Sequence, residues 1–277
     1  MKARRLFALL ALACLQGCSA TRIAYENADV YLRWQANHYF DFQGEQSDEL
    51  DRRLAGFLAW HRAKALPQYA PLADAAAARV LRGITREDLE WSYDAVQAQI
   101  RQALAAAAGE AAGLLDRLGP EQISHLERRL AEENRKFAKE QVQGSMEERQ
   151  KRRVKRNLER LEEWFGPLSE AQAGRVQRYS ERAPLSAELR ERDRRRRQAE
   201  FLAMLRAREA GRRLARWAQD WDAGREPAYA EASRATRAEY VELLLDLDRT
   251  LSMEQREHAA RRLQRWGALA GSLARQP

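Results

Sequence analysis

The sequence predicts an all-α fold, an irregular multi-helix bundle with at least one long, partly solvent-exposed helix. Apolar residues recur every three or four positions almost throughout, as in Leu50, Leu54, Phe57 and Leu58, and this is the spacing of one helix face. No stretch alternates apolar and polar residues as a half-buried strand does. Six of the seven prolines are internal and fall where the period breaks, as expected if each begins or ends a helix.

A recurring start motif marks further helix boundaries. It places Ser or Thr before the first turn and an acid or Gln three residues later, so that side chains cap the exposed backbone amides. The copies are Thr85 with Asp88, Gly119-Pro120 with Gln122, Ser169 with Gln172, and Ser252 with Gln255, and Gly44-Glu45-Gln46 is a looser copy.

Each expected helix lies between two of these signals. The first helices are 22–40 and 46–64, divided by the looser motif copy, then 72–82 after Pro71 and 86–117 after Thr85. The later helices are 120–164 from Pro120, 170–181 from Ser169, 187–223 between Pro184 and Pro227, 228–249 from Pro227, and 253–274 from Ser252.

The segment 120–164 contains no proline after Pro120 and a single glycine, Gly144. As one helix it would be about 65 Å long at about 1.5 Å per residue. Between Val142 and Val154 only Met146 is apolar enough to face a core. The segment therefore either projects into solvent or breaks into a hairpin, and the pattern favours an extended, arm-like helix.

The N-terminus has the order of a signal peptide over 1–17: basic residues, an apolar run from Leu6 to Leu15, and a small residue at Gly17. The run is shorter than the roughly 20 residues needed to span a bilayer. Leu15-Gln16-Gly17-Cys18 resembles a lipobox, which implies cleavage between Gly17 and Cys18, a diacylglyceryl group on the thiol and an N-acyl chain such as palmitate. The alternative is an ordinary secretory signal with an incidental cysteine.

This assignment leaves the mature chain without a free thiol. Cys14 leaves with the signal and Cys18 carries lipid, so neither a disulfide nor a thiolate site remains. Residues 18–21 would form a short tether and 22–277 an all-helical periplasmic body, either one domain or sub-bundles 22–117 and 118–277. Resemblance to other lipoproteins implies that Ser19, in the second mature position, directs the protein to the periplasmic face of the outer membrane. The expected membrane contact is through lipid.

Positive charge is concentrated in two blocks, although loss of the signal lowers the formal net charge from +8 to +5. The blocks suit three interpretations: solvated helix faces, a patch for anionic envelope components or acidic clients, or a nucleic-acid surface. Export argues against nucleic acid, and the solvated face is favoured. The basic residues are Arg149, Lys151, Arg152, Arg153, Lys155, Arg156, Arg190, Arg192, Arg194, Arg195, Arg196 and Arg197.

Few residues suggest enzyme chemistry. His61, between Trp60 and Arg62, could act as a general base or grip a ligand, but packing at a helix interface is the preferred interpretation. Glu254 and His258 lie four residues apart without a third ligand, so no metal site is expected. The sequence contains no GxSxG, glycine-rich phosphate loop or CxxC motif. We therefore expect a protein that is not an enzyme and has no cofactor beyond its covalent lipid.

Two resemblances bear on function. The helix-start motif is similar to the LTxxQ signature of Spy-like periplasmic helical chaperones, although no strict copy is present. The lipobox and several later motifs resemble a family of uncharacterised proteobacterial lipoproteins with a domain of unknown function, which implies a fold and a cellular address but no reaction. Those motifs are Tyr25-Glu26-Asn27-Ala28-Asp29, Leu32-Arg33-Trp34, Tyr39-Phe40-Asp41-Phe42, Glu45-Gln46, Trp60-His61-Arg62 and Leu66-Pro67-Gln68-Tyr69.

Three functions remain open from the sequence, each with its own structural test. A module that binds proteins or acidic envelope components, in a chaperone-like way, predicts an apolar concave face rimmed by arginines. An adaptor that bridges the outer membrane to a partner predicts a flat docking face on the long 120–164 helix. A hydrolase predicts a pocket at His61 with a carboxylate within about 3 Å of the imidazole. The sequence leaves the oligomeric state open.

Overall fold

The structure, a computed structural model, describes residues 21–276. Between residues 28 and 274 it contains eleven α-helices and no strand, which confirms the all-α prediction. They are α1 (Ala28–Phe40), α2 (Glu45–Trp60), α3 (Leu66–Arg82), α4 (Arg86–Leu115), α5 (Pro120–Phe137), α6 (Met146–Phe165), α7 (Glu170–Arg182), α8 (Ala187–Arg206), α9 (Ala210–Gln219), α10 (Pro227–Asp248) and α11 (Met253–Ala274).

The sequence predicts a break between helices 46–64 and 72–82, but Pro67 and Pro71 do not interrupt the helix. The chain is helical from Glu45 to Arg82, with a π-helical turn, His61–Ala65, joining α2 to α3. Pro67 lies in the first turn of α3, directly after the π-helical turn. Pro71 lies inside α3, and we attribute its tolerance there to the extensive packing of α3 on α11.

The segment 120–164 is neither one long arm nor a hairpin. After α5 a π-helical turn, Ala138–Val142, leads to a bend at Gly144, whose φ is +101°. Ser145 then caps α6, because its side chain accepts from the Glu148 N–H and its own N–H donates to Glu148 at 2.9 Å. Helix α5 packs on α8, whereas α6 packs on α7 and α11. The prediction of one long arm over 120–164 was therefore wrong, and the local signal for the division is the capping box at Ser145. The long, partly exposed helix of the predicted fold class is α4, Arg86–Leu115.

The predicted helix 187–223 is also divided. It breaks between α8 and α9, where Arg208 has a φ of +53°. The Asp116 carboxylate, just after α4, accepts hydrogen bonds from the first two backbone N–H groups of α9, those of Ala210 at 2.7 Å and Gly211 at 2.9 Å. A carboxylate from elsewhere in the chain thus caps α9, and no local signal announces it.

The start motif forms caps as expected at Thr85, Ser169 and Ser252. Its glutamines also pair with one another. Gln172 Nε2 donates to Gln255 Oε1 at 2.9 Å and Gln255 Nε2 donates back at 3.0 Å. Gln122 donates to Gln46 at 2.8 Å in the same manner. Each pair joins the N-termini of two helices that are distant in sequence.

Among the described residues, buried apolar side chains form three clusters. The first contains Phe42, Leu114 and Met204 and joins residues from both ranges 22–117 and 118–277. The second lies among α6, α7, α10 and α11, with Leu161 and Val176 at its centre. The third brings Leu66 against the end of α11. Within 21–276, no helix combines the length and apolar content needed to cross a bilayer, and the predicted signal, Gly17 and Cys18 lie outside the described residues.

Candidate functional site

A cleft of about 1100 Å³ opens between α4, α6 and α10, and we call it the central cleft. The ends of α5 and α7, the start of α8 and the loop after α9 complete its walls. Its charge is strongly one-sided, because the lining contains eight arginines and only two carboxylates, Glu140 and Asp222. The arginines are Arg101, Arg153, Arg156, Arg160, Arg190, Arg225, Arg234 and Arg237.

Of the eight cleft arginines, only Arg225 has a carboxylate partner within residues 21–276. It pairs with Asp222 at 2.6 Å. Arg153 donates to the Pro184 carbonyl at 3.0 Å, yet its Nε and second terminal nitrogen are buried without a hydrogen-bond acceptor among residues 21–276. Partly buried cations without partners are costly, so the cleft would be stabilised by an anion.

Two guanidinium groups on α6, those of Arg153 and Arg156, have lowered pKa values. Burial lowers the pKa of Arg153, and the charges of Arg156 and Arg149 lower it further, although nearby Tyr179 acts in the opposite direction. Burial likewise lowers the pKa of Arg156, with Arg152 and Arg160 adding to the effect. Both shifts reflect positive charge held away from water beside other positive charge.

Aromatic rings lie against two of the cleft arginines. The guanidinium carbon of Arg237 lies 3.4 Å from the ring centre of Tyr93, and that of Arg190 lies 5.4 Å from Phe137. Stacking on a ring face stabilises the cation while its in-plane N–H groups stay available to a ligand. Burial also raises the pKa values of Tyr179 and Tyr240, so their hydroxyls remain protonated donors.

Two further polar groups in the cleft are unsatisfied. Trp221 Nε1 is a buried donor and Gln97 Oε1 a buried acceptor, and neither has a hydrogen-bond partner within 21–276. Unpaired buried polar atoms are uncommon in folded proteins and mark places where a ligand or water would bind. Among the described residues, the walls of the cleft therefore also contain one buried donor and one buried acceptor that the protein leaves unsatisfied.

Only part of the first basic block, 149–156, lines this cleft. Arg153 and Arg156 line it. The other members make intramolecular contacts: Arg149 pairs with Glu188, Lys151 with Glu147 and Lys155 with Glu159, and Arg152 donates to the Gln143 carbonyl.

Most residues of the second basic block, 190–197, make contacts within the protein. Arg190 alone lines the cleft. Buried Asp193 accepts from Arg196 at 2.8 Å and from the backbone N–H of Glu226 at 2.7 Å, which ties α8 to the start of α10. The remaining partners are Glu226 for Arg192, Asn134 for Arg194, Glu191 for Arg195, and the Trp217 carbonyl and ring for Arg197.

Five cleft arginines were not among the predicted site residues: Arg101, Arg160, Arg225, Arg234 and Arg237. They lie outside the two dense basic blocks, 149–156 and 190–197. A finer signal was present, because Arg153, Arg156 and Arg160 share one face of α6 by their spacing. On α10, Tyr229, Arg237 and Tyr240 also share one face by their spacing of eight and three residues. Arginines and tyrosines on shared helix faces, rather than continuous runs of arginine, therefore indicate this site.

His61 lies in the π-helical turn with both ring nitrogens occupied. Nδ1 is 3.0 Å from the Tyr25 hydroxyl and Nε2 is 3.3 Å from the Tyr69 hydroxyl. Trp60 ends α2 with its ring centre 6.3 Å from the imidazole. Arg62 lies in the turn and Pro67 in the first turn of α3. The contacts are those of a histidine that joins helices, and no carboxylate hydrogen-bonds to it within 21–276.

Burial lowers the pKa of His61 below its ordinary value of 6.5. The unfolded chain therefore binds a proton at a higher pH than the folded chain does. His61 should contribute fully to stability above pH 6.5 and progressively less as the pH falls from 6.5 towards the lowered folded pKa.

We expect the melting temperature to fall with acidification through this window, and to fall less steeply in His61→Gln, which does not titrate. Circular dichroism melts at several pH values would measure both slopes. Parallel slopes for the two proteins would contradict the assignment, and the imidazole NMR titration of His61 supplies an independent check.

No group of three or more His, Cys, Asp or Glu side chains is placed to hold a metal ion within 21–276. The pair Glu254 and His258 thus has no third ligand in that part of the chain.

The fold and the central cleft define an all-α protein with an arginine- and tyrosine-lined cleft. The chain belongs to the DUF6279 family, a family of unknown function, whose profile matches residues 38–229. That range includes the cleft residues of α4 and α6, whereas Arg234, Arg237 and Tyr240 lie beyond it. Neither the curated proteins nor the solved structures contain a match to the chain.

Proposed function

We propose that this chain is a lipid-anchored protein of the bacterial cell envelope, without enzymatic activity, whose central cleft binds an anionic partner. One observation carries the proposal: seven of the eight cleft arginines lack an ion pair among the described residues. Arginine binds carboxylate and phosphate through two parallel hydrogen bonds, so several free guanidinium groups around one cleft favour a ligand with several anionic groups.

The size and lining of the cleft narrow the ligand further. About 1100 Å³ is slightly above the range of roughly 300–1000 Å³ typical of small-molecule sites. Six aromatic residues, Tyr93, Phe137, Tyr179, Trp221, Tyr229 and Tyr240, share the walls with the arginines. A single inorganic phosphate would leave most of this surface exposed. An acidic polypeptide segment or a phosphorylated glycolipid would occupy more of it.

The proposed location rests on the N-terminal sequence. Leu15 to Cys18 supports lipidation of Cys18, and Ser19 supports the outer membrane. In the periplasm such a cleft would meet acidic proteins, peptidoglycan carboxylates and lipopolysaccharide phosphates, and no nucleic acid. Binding without chemistry is favoured because the cleft lining contains no histidine or cysteine.

Charge reversal within one helix tests the cleft directly. We expect Arg156→Glu/Arg160→Glu to weaken binding of poly-glutamate or of lipopolysaccharide by at least about tenfold, because each lost charged hydrogen bond is worth roughly 1.5–3 kcal/mol. The matched control is Lys151→Glu/Lys155→Glu, which changes the same charge on the same helix outside the cleft. Isothermal titration calorimetry of the mature chain would measure both.

The control should retain affinity within about threefold, since distant exposed charges are screened by salt. Equal losses in the two variants would indicate general attraction to a basic protein and would contradict the cleft assignment. So would failure of the unaltered chain to bind either probe.

A chaperone-like activity is the second candidate, and a specific feature favours it. A groove of about 390 Å³ between α3, α4 and α11 is lined almost entirely by apolar side chains, including the exposed Val96 and Ile100. An exposed apolar groove and an arginine-rich cleft that both use residues of α4 would together suit unfolded, acidic clients. In-cell crosslinking of the same two variants separates the candidates: many clients lost on cleft reversal favour the chaperone, and one persistent stoichiometric partner favours an adaptor.

A further inference from the structure

The N-terminal helical segment, which comprises 21–26, a turn at Asn27 and α1, carries an exposed apolar stripe. Ile23, Val30 and Trp34 are 59%, 62% and 58% exposed. Val30 and Trp34 are four residues apart on α1 and lie about 40° apart around it, while Ile23 lies before the turn. Tyr31, also exposed, lies at the edge of the stripe. Large apolar side chains rarely share one solvent-facing stripe unless something covers it.

The same stretch is anchored to the protein on its other side. Ala36, Tyr39 and Phe40 pack against the first buried cluster. At its start, Arg22 donates to Ser272 at 2.8 Å, and Tyr25 packs in the third cluster. The stripe is therefore the outward face of a helix whose orientation is set by the body of the protein.

The stripe begins close to the proposed lipid attachment. Only Ser19 and Ala20 separate Cys18 from Thr21, the first described helical residue. Three residue steps span at most about 11 Å when fully extended. Acyl chains on Cys18 would hold the start of this segment at the headgroup level. Trp34, the last residue of the stripe, lies eleven residues beyond Ile23, a rise of at most about 17 Å in helical conformation.

We propose that Ile23, Val30, Tyr31 and Trp34 lie in the membrane interface, so that the first helix rests along the bilayer and fixes the orientation of the body above it. This inference depends on the lipid anchor proposed above. Trp and Tyr favour the headgroup region because their rings are apolar with one polar atom. An in-plane helix buries one apolar stripe in this way. Asp29 fits the arrangement, since on α1 it lies about 100° from Val30 and about 140° from Trp34.

A second exposed valine provides a matched control. Val96 on α4 is 59% exposed, nearly the same as Val30, but it is remote from Cys18 in the sequence and lines the apolar groove. A probe at Val96 reports contact between the bilayer and any exposed apolar site. A probe at Val30 reports the proposed face.

The experiment uses the full lipoprotein carrying Val30→Cys or Val96→Cys, each labelled with a fluorophore. The thiol of Cys18 is blocked by lipid, so each variant carries one reactive thiol. In vesicles of phosphatidylethanolamine and phosphatidylglycerol containing spin-labelled quencher lipids, we expect at least about twofold stronger quenching at Val30 than at Val96. Ile23→Ser/Trp34→Ser should reduce the quenching at Val30 while the circular dichroism melt stays unchanged, because both side chains are exposed.

Flotation separates failure of this inference from failure of the anchor. If the lipoprotein floats with vesicles, Cys18→Ser does not, and the two probes are quenched equally, the anchor stands and the interfacial face is wrong. If the lipoprotein itself does not float, both proposals fail. Crosslinking between Val30 probes of two copies, without lipid quenching, would assign the stripe to self-association and overturn the inference.

Discussion

Replacing Asp248 by alanine should lower the free energy of unfolding by about 3 kcal/mol, because it leaves a buried guanidinium without its counter-charge. Asp248 and Arg256 are both largely buried, and their side chains approach to 2.5 Å. Arg256 also donates to the backbone carbonyls of Val80 and Asp248. The pair therefore joins the C-terminal end of α3 to the turn between α10 and α11.

The matched control is Glu257→Ala on α11. Glu257 pairs with Arg261 at 3.0 Å, but both side chains are about half exposed. An exposed helix pair of this kind contributes about 0.3–0.5 kcal/mol. Urea unfolding followed by circular dichroism measures both changes. A loss for Asp248→Ala no larger than that of the control would show that Arg256 finds water or another acceptor, and would refute the structural role of the pair.

Met204→Ala should cost about 2–5 kcal/mol, the range for deleting a large apolar side chain from a packed core. Met204 is 0% exposed and lies in the first buried cluster with Leu205 and Leu214. The cluster joins α8 and α9 to α4, so the cavity would open where elements distant in sequence meet. Little rearrangement could fill it without moving a helix.

The same substitution at Met146 is the control, because that side chain is 68% exposed at the start of α6. We expect a change within about 0.5 kcal/mol there, as is usual for surface positions. Differential scanning calorimetry of the two variants would rank them. Similar melting temperatures for both would mean that the first cluster is not the main core.

The all-α class was predictable because amphipathic periodicity is a property of short windows of sequence. The same holds for the caps at Thr85, Ser169 and Ser252, whose donors and acceptors lie within three residues of one another. The cap at Ser145 is equally local, because Ser145 and Glu148 are three residues apart, but the charged run that follows them dominates the sequence pattern there.

The central cleft was only partly predictable. Dense basic blocks were a poor guide, because most of their members pair with nearby carboxylates or backbone carbonyls. Arg153, Arg156 and Arg190 were identified, and Arg101, Arg160, Arg225, Arg234 and Arg237 were not. Whether an arginine is paired or free depends on which helix faces it, and helix packing is not encoded in a local window.

The sequence alone determined that this chain is helical, where several helices begin, and that it carries a lipobox-like motif at Leu15 to Cys18. The tertiary structure decided that Pro67 and Pro71 stay within a helix, that α9 is capped by Asp116 from 94 residues earlier, and that arginines of several helices share a cleft. The division has a physical reason. Backbone capping and amphipathic spacing act over one or two turns, whereas burial, ion pairing and long-range caps depend on the neighbour that the folded chain supplies.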